Sequence, residues 1–315
     1  MKKSIAPSWC QFFLSIILIP LPGCVHRRHL DKQKLHITLP AAKPSIVHDS
    51  NTPPITIWVH GTLMFYTPIY HHIFANKSSL MLITTLPQNH HFRILAETIA
   101  EHAPEHFPIT EFYVFGWSGR LQHQERKIAA EKLYQEIIAL REQYEKKYGN
   151  TPTIRIIAHS HGGNVVLNMA KIKKSLNPPL IKSLILLACP VQDKTMHLIC
   201  TPMFNRVYSL YSSFDIIQIL APQFRRIRSI NGYKRRHQYS FLPFSERLFP
   251  VYSHLTQAKI KINNYPISHS RFSTKEFTML LPTILQKLDS WHDESIATNK
   301  ISKHKLLCIY KDKTN

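Results

Sequence analysis

Short apolar runs alternate with amphipathic stretches along the middle of the chain. The runs are rich in β-branched and aromatic residues, and each predicts a buried strand. These predicted strands are Ile55–Val59, Phe112–Phe115, Thr153–Ala158, Leu184–Ala188, Val207–Ser212 and Lys259–Ile262. The amphipathic stretches predict helices at about 92–102, 124–148, 164–174 and 274–288. Strands that alternate with helices favour an α/β fold, with a mostly parallel sheet covered by helices on both faces.

The turn Ala158–Gly162, which we call the Ser160 turn, joins a predicted strand directly to a predicted helix. A serine at the tip of so sharp a turn needs small residues two positions before and after it, and this sequence provides alanine and glycine. The serine hydroxyl would lie at a helix N-terminus, where backbone N–H groups stabilise an anion. We therefore predict that Ser160 is the nucleophile of a serine hydrolase. The alternative is an ordinary loop with a surface serine.

Three motifs together resemble the lipase and esterase branch of the α/β hydrolases. They are the AHSHGGN stretch around Ser160, the WVHGT turn at 58–62 and the FYVFGWSGR strand end at 112–120. The resemblance covers about residues 54–290 and implies the α/β-hydrolase fold. It also implies an oxyanion hole, with one donor from the N–H of His161 and a second from Thr62 or Leu63. His159 and the His161 ring are interpreted as pocket lining.

The acid and the base are expected in the chain order serine, acid, histidine. Asp215 follows the second strand after the Ser160 turn and is preferred to Asp193, which follows the first. His269 lies between the last predicted strand and the last helix, and His254, before that strand, is the alternative. The roles implied are a base that takes the serine proton and an aspartate that fixes its tautomer.

Net charge adds a prediction about partners. The chain carries a formal charge of +21 and has a pI near 9.8, which indicates an anionic partner such as a membrane surface or a nucleic acid. The alternative is that the proteins of this organism are rich in lysine and histidine in general. Residues 224–250 mix arginine and lysine with aromatic residues and predict a cap that contacts anionic lipid. A solvated loop and a site for single-stranded nucleic acid are the alternatives. Nucleic acid ranks last, because no DNA-reading motif is present.

The N-terminal segment predicts an export signal. Residues 1–23 combine a basic start with a short apolar core, and the sequence Leu21–Cys24 resembles the lipobox of bacterial lipoproteins. The resemblance implies that Cys24 is lipidated and that the protein is anchored on the non-cytoplasmic side of a bacterial membrane. An uncleaved anchor and a cytoplasmic protein are the alternatives. Residues 24–53 read as a basic tether with one edge strand near 35–39.

The predicted domain is an α/β-hydrolase domain over 54–292, with residues 224–250 inserted as the cap and a frayed polar tail over 293–315. The predicted activity is hydrolysis of carboxylic esters of the lipid or acyl type, without a metal or organic cofactor. Acyl transfer by the same triad is one alternative. A hydrolase fold without activity, which binds a lipid or a partner, is another.

Overall fold

Ten of the described strands pair into one sheet. The computed structural model describes residues 34–38, 52–62, 78–172, 179–226, 239–297 and 305–310. The strands of the sheet are β1 (Lys34–Thr38), β2 (Ile55–Val59), β3 (Ser79–Leu82), β4 (Phe112–Gly116), β5 (Ile154–His159), β6 (Ile181–Leu187), β7 (Phe204–Tyr211), β10 (Leu255–Ile262), β11 (Tyr265–Pro266) and β12 (Lys305–Tyr310). Between β7 and β10 in the chain, β8 (Pro222–Arg226) and β9 (Tyr239–Phe244) form a separate antiparallel pair.

The helices of the described ranges are α1 (His91–His102), α2 (His123–Tyr148), α3 (His161–Met169), α4 (Ile216–Leu220), α5 (Lys275–Thr278) and α6 (Leu281–Ala297). Short 3-10 turns lie at Ile83–Thr85, Ile109–Glu111, Met196–Cys200 and Ser270–Ser273. Within the ranges described, no helix combines the length and the apolar character needed to cross a membrane.

The strands follow the order β1-β12-β10-β7-β6-β5-β2-β4-β3, with β11 added to β10. Of the described strand pairs in this sheet, β3 with β4 and β10 with β11 are antiparallel and the others are parallel. Parallel β2 and β5 pair Val59 with Ala158, so both strands end at the same edge of the sheet. The register therefore brings the start of the Ser160 turn beside the end of β2.

Alternate residues of the strands feed two apolar cores on opposite faces of the sheet. Trp58 and Ile157 belong to one core, which α1, α5 and α6 cover. Ile57 and Ile156 belong to the other, which α2 and α3 cover. The predicted fold class is confirmed: a mostly parallel sheet lies between helices on both faces, in the arrangement of an α/β-hydrolase fold.

The sheet extends beyond the predicted domain at both ends. β1 lies within the predicted tether and forms an edge of the sheet, close to the position expected for an edge strand. The expectation of a frayed tail over 293–315 is wrong, because α6 continues to Ala297 and β12 is inserted between β1 and β10. Leu307 and Ile309 of β12 are fully buried. Because lysines surround this short apolar run, the sequence predicted a polar tail and not a buried strand.

Candidate active site

Ser160 occupies the tip of the turn between β5 and α3. Its backbone angles are φ 53° and ψ −132°, a conformation that is rare for a residue with a side chain. Such strain costs about 1–3 kcal/mol and persists when its surroundings enforce it. The Ser160 N–H donates to the Leu187 carbonyl at 2.8 Å, which ties the turn to the end of β6. This is the strained strand-to-helix geometry that exposes a nucleophile.

Two glycines allow the turn to press against the end of β2. A Cβ at Gly162 would lie 2.5 Å from the carbonyl oxygens of both Val59 and His60. A Cβ at Gly61 would lie 2.8 Å from the Cβ of Ser160. Because real Cβ atoms do not approach so closely, both positions require glycine. The small residue predicted two positions after the serine therefore has a direct steric cause.

Asp215 and His269 are joined by a hydrogen bond, although 54 residues separate them in the chain. His269 Nδ1 donates to Asp215 Oδ2 at 2.8 Å, and both side chains are buried. This bond fixes the imidazole tautomer with the proton on Nδ1, so Nε2 is left as a proton acceptor. The pair has the geometry of a general base with its orienting carboxylate.

His269 lies next to the Ser160 turn. The rings of His159 and His269 have their centroids 4.9 Å apart, and His159 Nε2 donates to the His269 carbonyl at 3.2 Å. The alternative base, His254, instead donates its Nε2 to the Ile199 carbonyl at 2.8 Å. The structure thus brings His269 to the turn and engages His254 elsewhere.

Two residues that donate hydrogen bonds to Asp215 were not predicted from the sequence. Asp215 caps the N-terminus of α4, where its Oδ1 accepts from the Gln218 N–H at 2.8 Å. The Arg247 guanidinium donates to the Asp215 carbonyl at 2.8 Å. The spacing Asp-x-x-Gln before a helix is typical of a capping box and was the available signal for Gln218. No comparable signal marks Arg247.

The predicted oxyanion donors lie at the same edge of the sheet. His161 is the first residue of α3, so its N–H has no acceptor within the helix. Thr62 follows Gly61, and its hydroxyl oxygen is buried without a hydrogen-bond partner. Leu63, the other predicted donor, and Cys24, the predicted lipidation site, lie outside the described residues.

His60 is a buried residue that ties β2 to β4, a role that the sequence analysis missed. Its Nδ1 donates to the Gly61 carbonyl at 2.7 Å, and its Nε2 accepts from the Trp117 N–H at 3.2 Å. The Trp117 indole N–H returns a bond to the His60 carbonyl at 2.8 Å. Burial lowers the pKa of His60 to about 4. The ring is therefore neutral at pH 7 and holds the end of β2 in place.

The histidines on either side of Ser160 are also kept neutral. Burial, together with the neighbouring His269, lowers the pKa of His159 to about 3. Burial also holds the pKa of His161 well below its ordinary value, with added effects from Arg126 and His269. Both nitrogens of the His161 ring are buried without a hydrogen-bond partner. Neither ring adds positive charge beside the imidazole of His269.

In the part of the chain that the structure describes, no three histidine, cysteine, aspartate or glutamate side chains form a group that could hold a metal ion. No family model and no curated protein matches the chain.

Two solved structures are similar to it at low identity. The siderophore hydrolase EstB from Aspergillus fumigatus is 15% identical, with a TM-score of 0.29 over 48% of this chain and 39% of that one. An arylesterase is 10% identical, with a TM-score of 0.36 over 76% of this chain and 77% of that one. The match to the siderophore hydrolase thus spans well under half of that protein's length.

Proposed function

We propose that this protein is a serine hydrolase that cleaves carboxylic esters, with Ser160 as nucleophile, His269 as general base and Asp215 as its orienting acid. The observation that carries the proposal is the Asp215–His269 hydrogen bond beside the strained Ser160 turn. A carboxylate on Nδ1 prepares Nε2 to take a proton, and the turn presents the serine at a helix N-terminus.

The reaction would proceed in two halves. Ser160 Oγ attacks the ester carbonyl carbon while His269 Nε2 takes the hydroxyl proton. The N–H of His161 and a backbone N–H of Thr62 or Leu63 stabilise the oxyanion of the tetrahedral intermediate. The intermediate then expels the alcohol, which receives the proton from His269. Water, activated by the same imidazole, attacks the acyl-enzyme and releases the carboxylic acid.

Fluorophosphonate labelling of the full-length chain tests this proposal. The probe phosphonylates an activated serine, so we expect the wild type to be labelled and Ser160→Ala to remain unlabelled. Ser290→Ala, which removes an exposed hydroxyl on α6, is the matched control and should label like the wild type. A folded wild type that takes no label would contradict the proposal and would favour a hydrolase fold that only binds.

We also propose that the ester is presented at an anionic lipid surface. Phe214, Ile216 and Ile217 flank Asp215 and expose 62%, 57% and 44% of their surface. Adjacent exposed apolar residues of this size are typical of a contact with lipid or protein. The net charge of +21 favours an anionic partner. The sequences of β8 and β9, with their arginine and aromatic residues, are consistent with a cap that contacts lipid.

Sedimentation with vesicles tests the membrane proposal. More of the chain should sediment with vesicles of phosphatidylglycerol than with vesicles of phosphatidylcholine. The double variant Phe214→Ser, Ile216→Ser should sediment less than the wild type with either lipid. Equal sedimentation of the variant and the wild type would oppose this contact surface.

We further propose that Cys24 is lipidated and anchors the chain on the non-cytoplasmic side of a bacterial membrane. Metabolic labelling with a fatty acid in a bacterial host should mark the wild type and leave Cys24→Ser unmarked.

A further inference from the structure

Five basic side chains gather beside the N-terminal turns of α2, close to the helix that begins after Ser160. We call this group the basic cluster. Its members are His123, Arg126, Lys127, Lys171 and Lys194. The first three lie on one face of α2, because residues three and four apart on a helix are neighbours. The cluster therefore combines residues from three separate segments of the chain.

Two hydrogen bonds join these segments. Arg126 Nη2 donates to the Gln192 side-chain oxygen at 3.0 Å, which links α2 to the loop after β6. In the same loop, the Lys194 carbonyl accepts from Lys171 Nζ at 2.9 Å, which links the loop to the end of α3. Lys171 and Lys194 are exposed, whereas Lys127 is half-buried. The lysines of the cluster are thus at least partly accessible to solvent, whereas Arg126 is buried.

Arg126 is a buried cation with neutral partners. Its side chain is buried, with 3% of the residue exposed, and its other described bond is from Nη1 to the Leu121 carbonyl at 2.5 Å. Its Nε is buried and has no hydrogen-bond partner. A buried cation is costly unless an anion pairs with it, and burial lowers the pKa of Arg126 to about 10. The guanidinium therefore has both the charge and a spare N–H with which to bind an anion.

His161 connects the cluster to the proposed active site. It follows Ser160 directly and is 3% exposed, and neither ring nitrogen has a hydrogen-bond partner. Arg126 and His269 both lie close enough to lower the pKa of this one ring. Helix α2, which carries Arg126, packs against α3, and His161 is the first residue of α3, so the cluster lies beside the helix that follows Ser160.

The charges around the cluster repel one another. Burial and four neighbouring cations lower the pKa of His123 to about 4. Burial, Lys127 and Lys194 lower the pKa of Lys171.

Two acids lie near these residues in sequence. Glu125 accepts from the Ser118 hydroxyl at 3.0 Å and lies 4.0 Å from Arg120. Asp193 directly precedes Lys194 in the sequence. A net positive charge remains, and a bound anion would relieve the repulsion.

We propose that the basic cluster binds an anionic oxygen group, a carboxylate or phosphate, carried by the ester substrate. Arg126 would form the floor of this site, and Lys127, Lys171 and Lys194 would surround its mouth. A guanidinium suits such a group because its planar N–H groups match the spacing of the oxygens. The inference rests on the proposed esterase activity and narrows its substrates to esters with a negative charge away from the scissile bond.

Paired esters test the inference on the full-length chain. The p-nitrophenyl esters of butyrate and of succinate differ mainly in the carboxylate at the far end of the acyl group. We expect a higher kcat/KM for the succinate ester. Lys171→Gln should lower the succinate-to-butyrate ratio by roughly two- to fivefold, as expected for an exposed charge pair. Arg126→Gln should lower it by roughly tenfold or more. Lys146→Gln makes the same charge change at the other end of α2 and should leave the ratio unchanged.

Phosphate binding provides a readout that needs no catalysis. Calorimetry with inorganic phosphate on Ser160→Ala, in chloride of matched ionic strength, should show binding that Lys171→Gln weakens. Phosphate should then compete with the succinate ester more strongly than with the butyrate ester.

A labelled, active wild type with equal kcat/KM for both esters would overturn the anionic-substrate inference while the esterase proposal stands. Phosphate binding without that preference would assign the cluster to a free anion, which also overturns the inference. Absence of fluorophosphonate label would overturn the esterase activity itself.

Discussion

Gly61→Ala tests whether the end of β2 sets the position of Ser160, the proposed nucleophile. A Cβ at this position would lie 2.8 Å from Ser160 Cβ, and also 3.1 Å from the carbonyl oxygen of His159. Carbon atoms in contact normally lie about 3.5–4.0 Å apart, so the turn would have to move by roughly 1 Å. A displacement of this size costs about 100-fold in rate, or about 2.7 kcal/mol. We therefore expect the second-order rate constant of fluorophosphonate labelling to fall by about two orders of magnitude.

Gly149→Ala separates this displacement from a loss of stability. Gly149 ends α2 with φ 76°, and no atom lies within 4 Å of a Cβ placed there. An alanine in this conformation should cost about 1 kcal/mol of folding free energy and leave labelling unchanged. Circular dichroism and the Tm of both variants establish that they are folded. If folded Gly61→Ala were labelled at the wild-type rate, the close contact between β2 and the turn would not control the site.

Three further predictions concern Asp215, His60 and strand β12. Asp215→Asn should reduce kcat by about 10⁴-fold at a similar KM, because the imidazole loses its orienting carboxylate, whereas Asp193→Asn should retain activity. Since the pKa of folded His60 is about 4, below its ordinary 6.5, the unfolded chain binds the proton more readily. The stabilising contribution of His60 should therefore fall by about 3 kcal/mol between pH 6.5 and 4, and His60→Gln should remove this part of the pH dependence in urea titrations. Truncation before residue 305 removes β12 and should lower the urea midpoint of unfolding. Each fully buried side chain that is removed contributes about 1.5–3 kcal/mol to the free energy of unfolding. A chain that ends at Tyr310 is the control and should unfold like the wild type.

The strands and the Ser160 turn could be predicted because their signals are local. The central strands are rich in apolar residues, as expected where both faces of a parallel sheet are buried. The turn needs a small residue two positions after the serine, because a Cβ at Gly162 would lie only 2.5 Å from two carbonyl oxygens. Chain order, with the positions of the candidates relative to the predicted strands, favoured Asp215 and His269, which a hydrogen bond joins in the structure.

Packing between segments far apart in the chain could not be predicted from the sequence. β12 pairs with β1 from the opposite end of the chain, so neither strand contains a signal for the other. Its lysine-flanked apolar run, KLLCIY, looked like part of a polar tail. The burial of Arg126 could not be predicted either, since an arginine on an amphipathic helix is ordinarily solvated, whereas this one is buried.

Three neighbouring histidines show why residue type alone could not assign the base. His159 and His161 adjoin Ser160 in sequence, yet burial holds the pKa of both well below the ordinary value. His159 donates to a carbonyl, and the His161 ring has no hydrogen-bond partner, so neither has a carboxylate to stabilise an imidazolium. His269 comes from a distant loop and bonds to Asp215. A base must hold its proton during the reaction, and that bond is the feature that favours His269 over its two neighbours.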